Sequence, residues 1–396
     1  MSDDDQLTEA LPSIESRSPS GGELLGSVPR AERRDVETAV DRAADVQRLW
    51  AALRTSDRAR YMARAAQAVI DEVDELVDLI SREQGRPRAE VEVLEILPAV
   101  ETLQWLARRG PEILAGESIG FSRSQHPFKR GRWAYEPLGV VAVLGPAAEP
   151  FATPLGDVAV ALMAGNGVVL KPSPFAVLSA ERIARIFARA GLPEGLLRVV
   201  HGFADVGGWL VDASVAQVRF TGNASAGRAV AEACARALKR SVLELGGNDP
   251  TLVLADAHLG KAVRGTAWAA FANAGQSSGS VARAICVHKV ADEFLAGIVE
   301  AAQALRVGDP RDPSTDVGPL VTTTRLDRCV ELLEDAVAHG ATVHCGGPKR
   351  RPGLPGAFFA PVVLSGAGPE ARLWREHAPG PILAVLEAGS EADAIR

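Results

Sequence analysis

Two segments of the chain carry residue types that could act in covalent or acid–base catalysis. The Gly/Ser-rich stretch Asn273–Ser280 follows a predicted helix, as loops that present a nucleophile often do, although a serine there needs an adjacent base. The stretch Leu243–Gly247 places Glu244 beside apolar residues, where burial would raise the pKa of the carboxyl group and suit it to general-base work. A plain connecting loop and an ordinary strand-end glutamate are the alternative interpretations.

Two further segments could bind an anionic ligand. Val168–Ser173 ends an apolar run with Lys171, which would put a cation at the carboxyl end of a buried strand, where open α/β sheets bind ligands. Phe220–Gly227 is a predicted strand-to-helix turn, in which Gly222 permits a tight bend and the first helical amides could meet a phosphate. A solvated lysine and a ligand-free packing turn are the alternatives, because neither segment is a complete dinucleotide fingerprint.

The elements around these segments alternate between short apolar strands and helices, which is typical of parallel βαβ units. The strands predicted for the first unit lie at 138–144, 168–170, 197–200, 215–220 and 242–243. The strands predicted for a second unit lie at 252–254, 284–288 and 382–386, with helices at 259–274, 292–305 and 325–339. The sequence therefore predicts an α/β fold with a doubly wound sheet.

The first 137 residues are predicted to be mostly helical. A polar arm over residues 1–27 with one short strand pair precedes the helical pattern. Ser56 is the predicted N-cap of a long helix that stops at Gly85, and a third helix should kink near Pro98. Residues 121–137 alternate polar and bulky side chains and are predicted to form an extended arm.

Composition and charge argue against several kinds of partner. The chain has 396 residues, 47% hydrophobic and 23% charged, with a formal net charge of −7, as in a folded protein of more than one domain. The absence of a basic tract and of an unbroken apolar stretch of ~20 residues argues against nucleic acid and membrane partners. The four cysteines form no close pair and the N-terminus is no signal peptide, which predicts no metal site and favours a reducing, cytoplasmic location.

Taken together, six motifs resemble the aldehyde dehydrogenase superfamily, in particular its NAD(P)-dependent, semialdehyde-dehydrogenase-like members. The resemblance runs from near Ile14 to the last residue, with the motifs in family order and at family spacing. They are Tyr135-Glu-Pro-Leu-Gly-Val-Val, Ala164-Gly-Asn-Gly-Val-Val-Leu-Lys-Pro-Ser, Phe220-Thr-Gly, Leu243-Glu-Leu-Gly-Gly, Phe271-Ala-Asn-Ala-Gly-Gln and Val307-Gly-Asp-Pro.

The resemblance implies a Rossmann-like cofactor domain, an α/β catalytic domain and a β arm for oligomerisation. The expected boundaries are 1–120 for the N-terminal arm and helical part of the cofactor domain, 121–137 for the β arm, 138–243 for the Rossmann-like region and 244–396 for the catalytic domain. Family chains continue beyond the position of residue 396. We therefore expect a truncated catalytic domain with uncovered apolar surface and sheet edge.

In the family, a cysteine thiolate adds to an aldehyde, an asparagine amide helps to hold the oxyanion, and a glutamate activates water after hydride transfer to NAD(P). The resemblance assigns the glutamate to Glu244. It assigns the cysteine position to Ser278, with no other cysteine in that loop, and the asparagine position to Ala148. Both replacements remove a catalytic group: a serine hydroxyl is essentially un-ionised at neutral pH, and alanine has no side-chain amide.

The same resemblance implies a cofactor-binding set and shows where it is altered. Lys171 matches the lysine that reaches the adenosine ribose, but its usual glutamate partner is Pro174. Asn223 replaces a serine that contacts phosphate, and His377 replaces the glutamate that holds the nicotinamide ribose. The residues predicted to bind NAD or NADP are Lys171, Ser173, Gly222, Asn223, Gly227, Leu245 and Gly246.

Three hypotheses about function follow. The first is a degenerate family member, with little or no aldehyde oxidation, that acts as a scaffold or as a partner of itself or of an active homologue. The second is an active NAD(P)-dependent aldehyde oxidoreductase that works without a covalent thiol adduct. The third is a weak esterase that uses Ser278 with Glu244 as base, although no histidine is evident beside the serine.

Overall fold

The computed structural model describes residues 12–122, 124–126, 128–348 and 355–396. The chain divides into two compact units. The first comprises Ser27–Leu76 and Val93–Glu244, with the described residues up to Ile14, and the second comprises Glu15–Gly26, Val77–Glu92 and Leu245–Arg396. Two N-terminal segments thus belong to the second unit, whereas the sequence placed all of 1–120 with the cofactor domain. Residues 1–11 of the predicted arm lie outside the described residues.

The N-terminal part is mostly helical, as predicted, and begins with a two-stranded sheet. Its elements are β1 (Ser13–Arg17), β2 (Leu24–Pro29), α1 (Arg33–Ala51), α2 (Thr55–Asp71), α3 (Val73–Gln84), α4 (Arg88–Val91) and α5 (Leu97–Ile113). A π-helical segment, Glu92–Ile96, joins α4 to α5 directly before Pro98, where the kink was predicted.

The predicted N-cap at Ser56 is wrong. Helix α2 already begins at Thr55, so Ser56 lies within its first turn and Arg54 holds the N-cap position. The first turn is instead supported by Asp57, whose carboxylate accepts a hydrogen bond from Arg54 Nε at 2.9 Å and carries the charge that a helix N-terminus favours. The predicted long helix is also two helices, because α2 ends at Asp71 and α3 begins at Val73.

The predicted arm contains a β hairpin that starts earlier than expected. Strand β3 (Glu117–Ile119) pairs antiparallel with β4 (Gly131–Trp133), so the first strand precedes the predicted range 121–137. Residues 123 and 127 of that range are outside the described part of the chain. Among the described residues, Phe128, Trp133 and Tyr135 are exposed aromatics on or beside the hairpin.

The first unit contains the doubly wound sheet that the sequence predicts. Its strand order is β7-β6-β5-β8-β9, with β5 parallel to β6 and β8, and β6 parallel to β7. Every residue of β5 and β6 is buried, which explains their unbroken apolar sequences. The strands are β5 (Val140–Leu144), β6 (Gly167–Lys171), β7 (Leu197–Val199), β8 (Gln217–Gly222) and β9 (Arg240–Leu245), and the helices are α6 (Ala152–Met163), α7 (Val177–Arg189), α8 (Ala204–Asp212) and α9 (Ala224–Arg236).

The second unit has its own five-stranded sheet, in the order β10-β11-β14-β13-β12. All neighbouring pairs are parallel except β12 and β13, two strands that the sequence did not predict. Its elements are β10 (Asp249–Val253), α10 (Leu259–Phe271), β11 (Val281–Val287), α11 (His288–Ala304), α12 (Thr323–Ala338), β12 (Thr342–Pro348), β13 (Phe359–Ser365), β14 (Ile382–Ala388) and α13 (Glu391–Ile395). No helix in the described part of the chain is long and apolar enough to cross a membrane.

Candidate active site

The carboxyl ends of three parallel strands meet at one edge of the sheet of the first unit. Ala148 follows β5, Lys171 is the last residue of β6, and Asn223 follows β8. The chain leaves β5 for β6 on one side and later returns to β8 on the other, so the edge contains a topological switch point. Open α/β sheets bind ligands at such a point.

Lys171 is buried at this edge, although it is a cation. Its Nζ donates a hydrogen bond to the carbonyl oxygen of Pro172 at 2.9 Å. Its aliphatic part passes Gly207, where a Cβ atom would lie 3.6 Å from Lys171 Cδ. Ser173 follows, also buried, and its hydroxyl accepts a hydrogen bond from the amide of Phe175. The structure thus holds Lys171 in the interior, where the sequence alone could not exclude a solvated side chain.

The turn after β8 has the local geometry of a helix N-terminus. Asn223 is the N-cap of α9, and its side-chain oxygen accepts a hydrogen bond from the amide of Ala226 at 2.8 Å. The preceding Gly222 lies against the ring of Phe220, 2.6 Å from where its Cβ atom would be. Gly227 is buried in the first turns of the helix. Asparagine therefore performs the capping that a serine would perform here.

Glu244, Leu245 and Gly246 are exposed at the end of β9. The expected burial of Glu244 is therefore wrong, because the residue is exposed in the described chain. Its role as a general base stays a prediction. Ala148 is half-buried in the loop between β5 and α6. An alanine there offers no side-chain hydrogen-bond donor.

An ion pair close to Glu244 was not recognised from the sequence. Arg219 on β8 binds Asp157 on α6, with Arg219 Nε 2.7 Å from Asp157 Oδ1. Burial raises the pKa of Asp157, the guanidinium of Arg219 opposes that shift, and the charge of Glu244 adds to it. Glu244 therefore lies within electrostatic range of a partly buried carboxylate. The only sequence signal was a single Asp within an otherwise apolar helix.

In the second unit, the residues after α10 form a left-handed turn. Asn273 and Ala274 have φ angles of 53° and 51°, and Gly275 has a φ of 69°. A left-handed backbone is unfavourable for residues with a Cβ atom. Gly275 has a steric requirement as well, because a Cβ atom there would lie 2.5 Å from the carbonyl oxygen of Gly380.

Gln276 fixes the start of the serine loop. Its Oε1 accepts hydrogen bonds from the Val321 amide at 3.0 Å and from Arg325 at 2.9 Å. Its amide nitrogen donates to the carbonyl oxygen of Asn273. At the end of the loop, Ser280 Oγ donates to the Ala269 carbonyl oxygen at 3.0 Å. The loop is therefore closed at both ends.

Ser278 itself is exposed between these two fixed ends. Of the described histidines, none hydrogen-bonds to its hydroxyl. His377 contacts the turn that precedes the loop, since it hydrogen-bonds with the Gly275 backbone and is within electrostatic range of Asp249. Burial lowers the pKa of His377, and its Nδ1 is buried without a partner among the described residues. A neutral imidazole therefore lies near the turn, but not bonded to the serine.

Two buried residues from the N-terminal part hold this turn. Glu90 on α4 accepts a hydrogen bond from the Asn273 amide at 2.8 Å, and Arg86 Nε donates to Asn273 Oδ1 at 3.0 Å. Burial raises the pKa of Glu90 to about 7; the hydrogen bond from Asn273 and the charge of Arg86 oppose this, and Asp316 adds to it. Sequence reasoning missed both residues, because they lie more than 180 residues from Asn273.

None of the four cysteines lies in the serine loop, and none has a thiol of lowered pKa. Burial raises the pKa of the thiols of Cys286 and Cys329 to about 12, and it also raises the pKa of Cys234 and Cys345. A raised pKa leaves little thiolate at neutral pH. Among the described residues there is also no cluster of His, Cys, Asp and Glu suited to hold a metal ion.

Comparison with known proteins identifies relatives over nearly the whole chain. The family model described as "Aldehyde dehydrogenase family" matches residues 7–396. An NADP-dependent enzyme of E. coli is 33% identical, with a TM-score of 0.92 over 97% of this chain and 79% of that chain. An NAD-dependent benzaldehyde dehydrogenase from Corynebacterium glutamicum is 32% identical, with a TM-score of 0.90 over 98% of this chain and 83% of that chain. An aldehyde dehydrogenase from Brucella melitensis biovar abortus 2308 is 29% identical, with a TM-score of 0.91 over 97% of this chain and 78% of that chain.

Proposed function

Since the chain belongs to the aldehyde dehydrogenase family, we propose that it binds NAD or NADP but has little or no capacity to oxidise aldehydes through a covalent thiol step. The observation that carries the proposal is the exposed Ser278 at the nucleophile position of a loop that is otherwise fixed at both ends. A serine needs an adjacent base to become a nucleophile. No described histidine bonds to this one.

The loss at Ala148 acts on the same chemical step. Removal of one oxyanion donor typically lowers a rate by about 10²–10³. The four cysteines offer no substitute, because burial raises the pKa of each of their thiols. Nucleophile and oxyanion donor are therefore both missing from the positions where the family has them.

The residues at the sheet edge of the first unit fit a nicotinamide dinucleotide. Lys171 supplies a cation at the carboxyl end of β6, and the N-terminus of α9 supplies backbone amides after β8. A bound nicotinamide would supply hydride acceptance. The chain's own contribution is to bind and orient the dinucleotide, and two of the similar structures are described as NAD- or NADP-dependent enzymes.

A chain that binds the cofactor without turnover would act through its contacts with other proteins. We propose a scaffold or partner role, as a homo-oligomer or in a complex with an active homologue, located in the cytoplasm. The exposed aromatics Phe128, Trp133 and Tyr135 beside the β3–β4 hairpin support this proposal, because clustered exposed aromatic side chains favour protein contacts.

Restoring the missing groups tests the proposal. The double variant Ser278→Cys/Ala148→Asn should gain aldehyde-dependent NAD(P)H formation, measured with aliphatic, aromatic and semialdehyde substrates. The matched control is Ser277→Cys/Ala148→Asn, which puts the thiol one residue away and should stay inactive. If the double variant folds and binds cofactor but gains no more activity than the control, residues 278 and 148 are not the cause of the loss.

An active enzyme that works without a thiol adduct is the competing candidate, and Lys171 and Glu244 favour it because both family groups are present. Its minimum requirement is saturable nicotinamide dinucleotide binding and wild-type turnover that Glu244→Gln abolishes. An esterase based on Ser278 requires ester hydrolysis that Ser278→Ala abolishes. Unchanged hydrolysis in Ser278→Ala eliminates it.

A further inference from the structure

The turn Asn273–Gly275 is held in an unfavourable backbone conformation directly before the serine loop. Two of its three left-handed residues carry a Cβ atom, so neither has the freedom of glycine. Such conformations persist only where surrounding contacts enforce them, and they concentrate at functional sites. The contacts that enforce this turn are therefore informative.

Glu90 and Arg86 supply those contacts from one side, and both bind the same residue. The carboxylate of Glu90 accepts the Asn273 amide at 2.8 Å, and Arg86 Nε donates to the Asn273 side-chain oxygen at 3.0 Å. The two residues are 5% and 1% exposed. Hydrogen bonds from buried charged groups are strong and directional, so these two fix Asn273 in direction as well as in distance.

The opposite side of the turn is closely packed and hydrogen-bonded. The missing Cβ of Gly275 allows the carbonyl oxygen of Gly380 to approach, and Gln276 is bound by both the Val321 amide and Arg325. Ser277 lies within 3.5 Å of the Asn273 side-chain nitrogen. A change in the backbone at Asn273 would therefore be transmitted to the next free residue, Ser278.

We propose that Glu90 and Arg86 are positioning residues, which hold Asn273–Gly275 left-handed and thereby set how the side chain at residue 278 is presented. The inference concerns the loop and stands whether or not the wild-type chain oxidises aldehydes. It adds a function to two buried residues that the thiol chemistry does not use.

The ionisation of Glu90 makes this positioning dependent on pH. Burial raises the pKa of Glu90 to about 7, against the opposing effects of the Asn273 hydrogen bond and Arg86, and with Asp316 adding to the shift. Asp316 is itself paired with Arg306. The closed turn therefore keeps a proton on Glu90 that an opened, solvated turn would release at lower pH. The turn should be held less firmly at pH 8 than at pH 6, because the buried carboxyl group must then be ionised in the interior.

Hydrogen exchange at the Asn273 amide tests the inference on the intact chain. After correction for the intrinsic rate, protection of that amide should fall about tenfold between pH 6 and pH 8 in the wild type. Glu90→Gln, which keeps a neutral acceptor, should remove the pH dependence. The exposed neighbour Glu92 provides the matched control, and Glu92→Gln should behave like the wild type. The same pH dependence of protection at Asn273 in the wild type and in Glu90→Gln would overturn the inference.

A second readout follows residue 278 itself. In Ser278→Cys, alkylation of the introduced thiol by iodoacetamide, quantified by peptide mass spectrometry, should show an inflection near pH 7 in addition to the thiol's own titration. Adding Glu90→Gln should remove that inflection. Adding Glu90→Asp separates charge from contact, because it keeps the carboxylate but shortens its reach. An inflection that survives Glu90→Asp unchanged would indicate a charge effect alone and would contradict a positioning role.

Discussion

Arg219 Nε lies 2.7 Å from Asp157 Oδ1, so strand β8 of the first unit is bonded to α6, the helix that follows the loop containing Ala148. Both side chains are less than a quarter exposed, and the charge of Glu244 acts on the same carboxylate. Removing one partner of such a partly buried pair leaves an uncompensated charge, whereas removing both is far less costly.

We therefore predict that Arg219→Met lowers the free energy of unfolding by about 3 kcal/mol at pH 8. The double variant Asp157→Asn/Arg219→Met should recover most of that loss, since no buried charge remains. Urea denaturation followed by circular dichroism measures both. Equal destabilisation in the single and the double variant would show that packing, and not charge, causes the effect.

Glu90 should make stability depend on pH. Its pKa rises from 4.5 in the unfolded chain to about 7 in the folded chain, so the folded state binds the extra proton between these values. The contribution of Glu90 to the free energy of unfolding is complete below pH 4.5 and is lost as the pH rises through 7. The free energy lost over this range is roughly 3 kcal/mol. Glu90→Gln should lack this fall when urea midpoints at pH 5 and pH 8 are compared, and Glu92→Gln should keep it. A wild-type slope retained in Glu90→Gln would refute the assignment.

The left-handed turn predicts opposite effects at adjacent residues. Ala274→Gly removes a Cβ atom at a φ of 51° and should stabilise the fold by roughly 0.5–1 kcal/mol. Gly275→Ala should destabilise it by more, because the added Cβ would lie 2.5 Å from the Gly380 carbonyl oxygen. Thermal unfolding of the two variants checks the pair. Loss of stability in Ala274→Gly would show that the turn is not strained at that residue.

Lys171 should contribute to nicotinamide dinucleotide binding. Lys171→Met keeps much of the buried aliphatic contact with Gly207 but removes the cation, so the Kd for NAD or NADP should increase about tenfold. The exposed Lys289 is the matched control, and Lys289→Met should leave the Kd unchanged. Isothermal titration calorimetry provides the measurement. Equal Kd values in the two variants would remove Lys171 from the proposed cofactor site.

The sequence predicted the elements whose patterns are local. Strands β5 and β6 are continuously apolar because both faces are buried, so their positions were clear. Strands β12 and β13 were missed. Strand β12 lies at the sheet edge, where it pairs antiparallel with β13. It contains two glycines and a terminal proline, which are uncommon residues in strands. The N-cap was wrongly predicted at Ser56 because serine is a favoured N-cap residue, whereas the structure has Arg54 at that position.

The candidate site was predictable only where family motifs mark it. Ala148, Lys171 and Asn223 follow or end parallel strands, as the strand pattern implies. The exposure of Glu244 could not be read from its apolar neighbours, because β9 is an edge strand of its sheet and none of its residues is fully buried. Glu90 and Arg86 act on Asn273 through contacts that exist only in the folded chain, and no local pattern distinguishes them from other buried charges.

The most direct test of the central claim is aldehyde-dependent NAD(P)H formation by the folded wild-type protein, with NAD and NADP binding measured on the same preparation. We expect saturable binding of one or both dinucleotides and no aldehyde-dependent turnover. Clear wild-type turnover would contradict it, and would mean that the chain oxidises aldehydes by a route that needs neither a thiol at residue 278 nor an amide at residue 148.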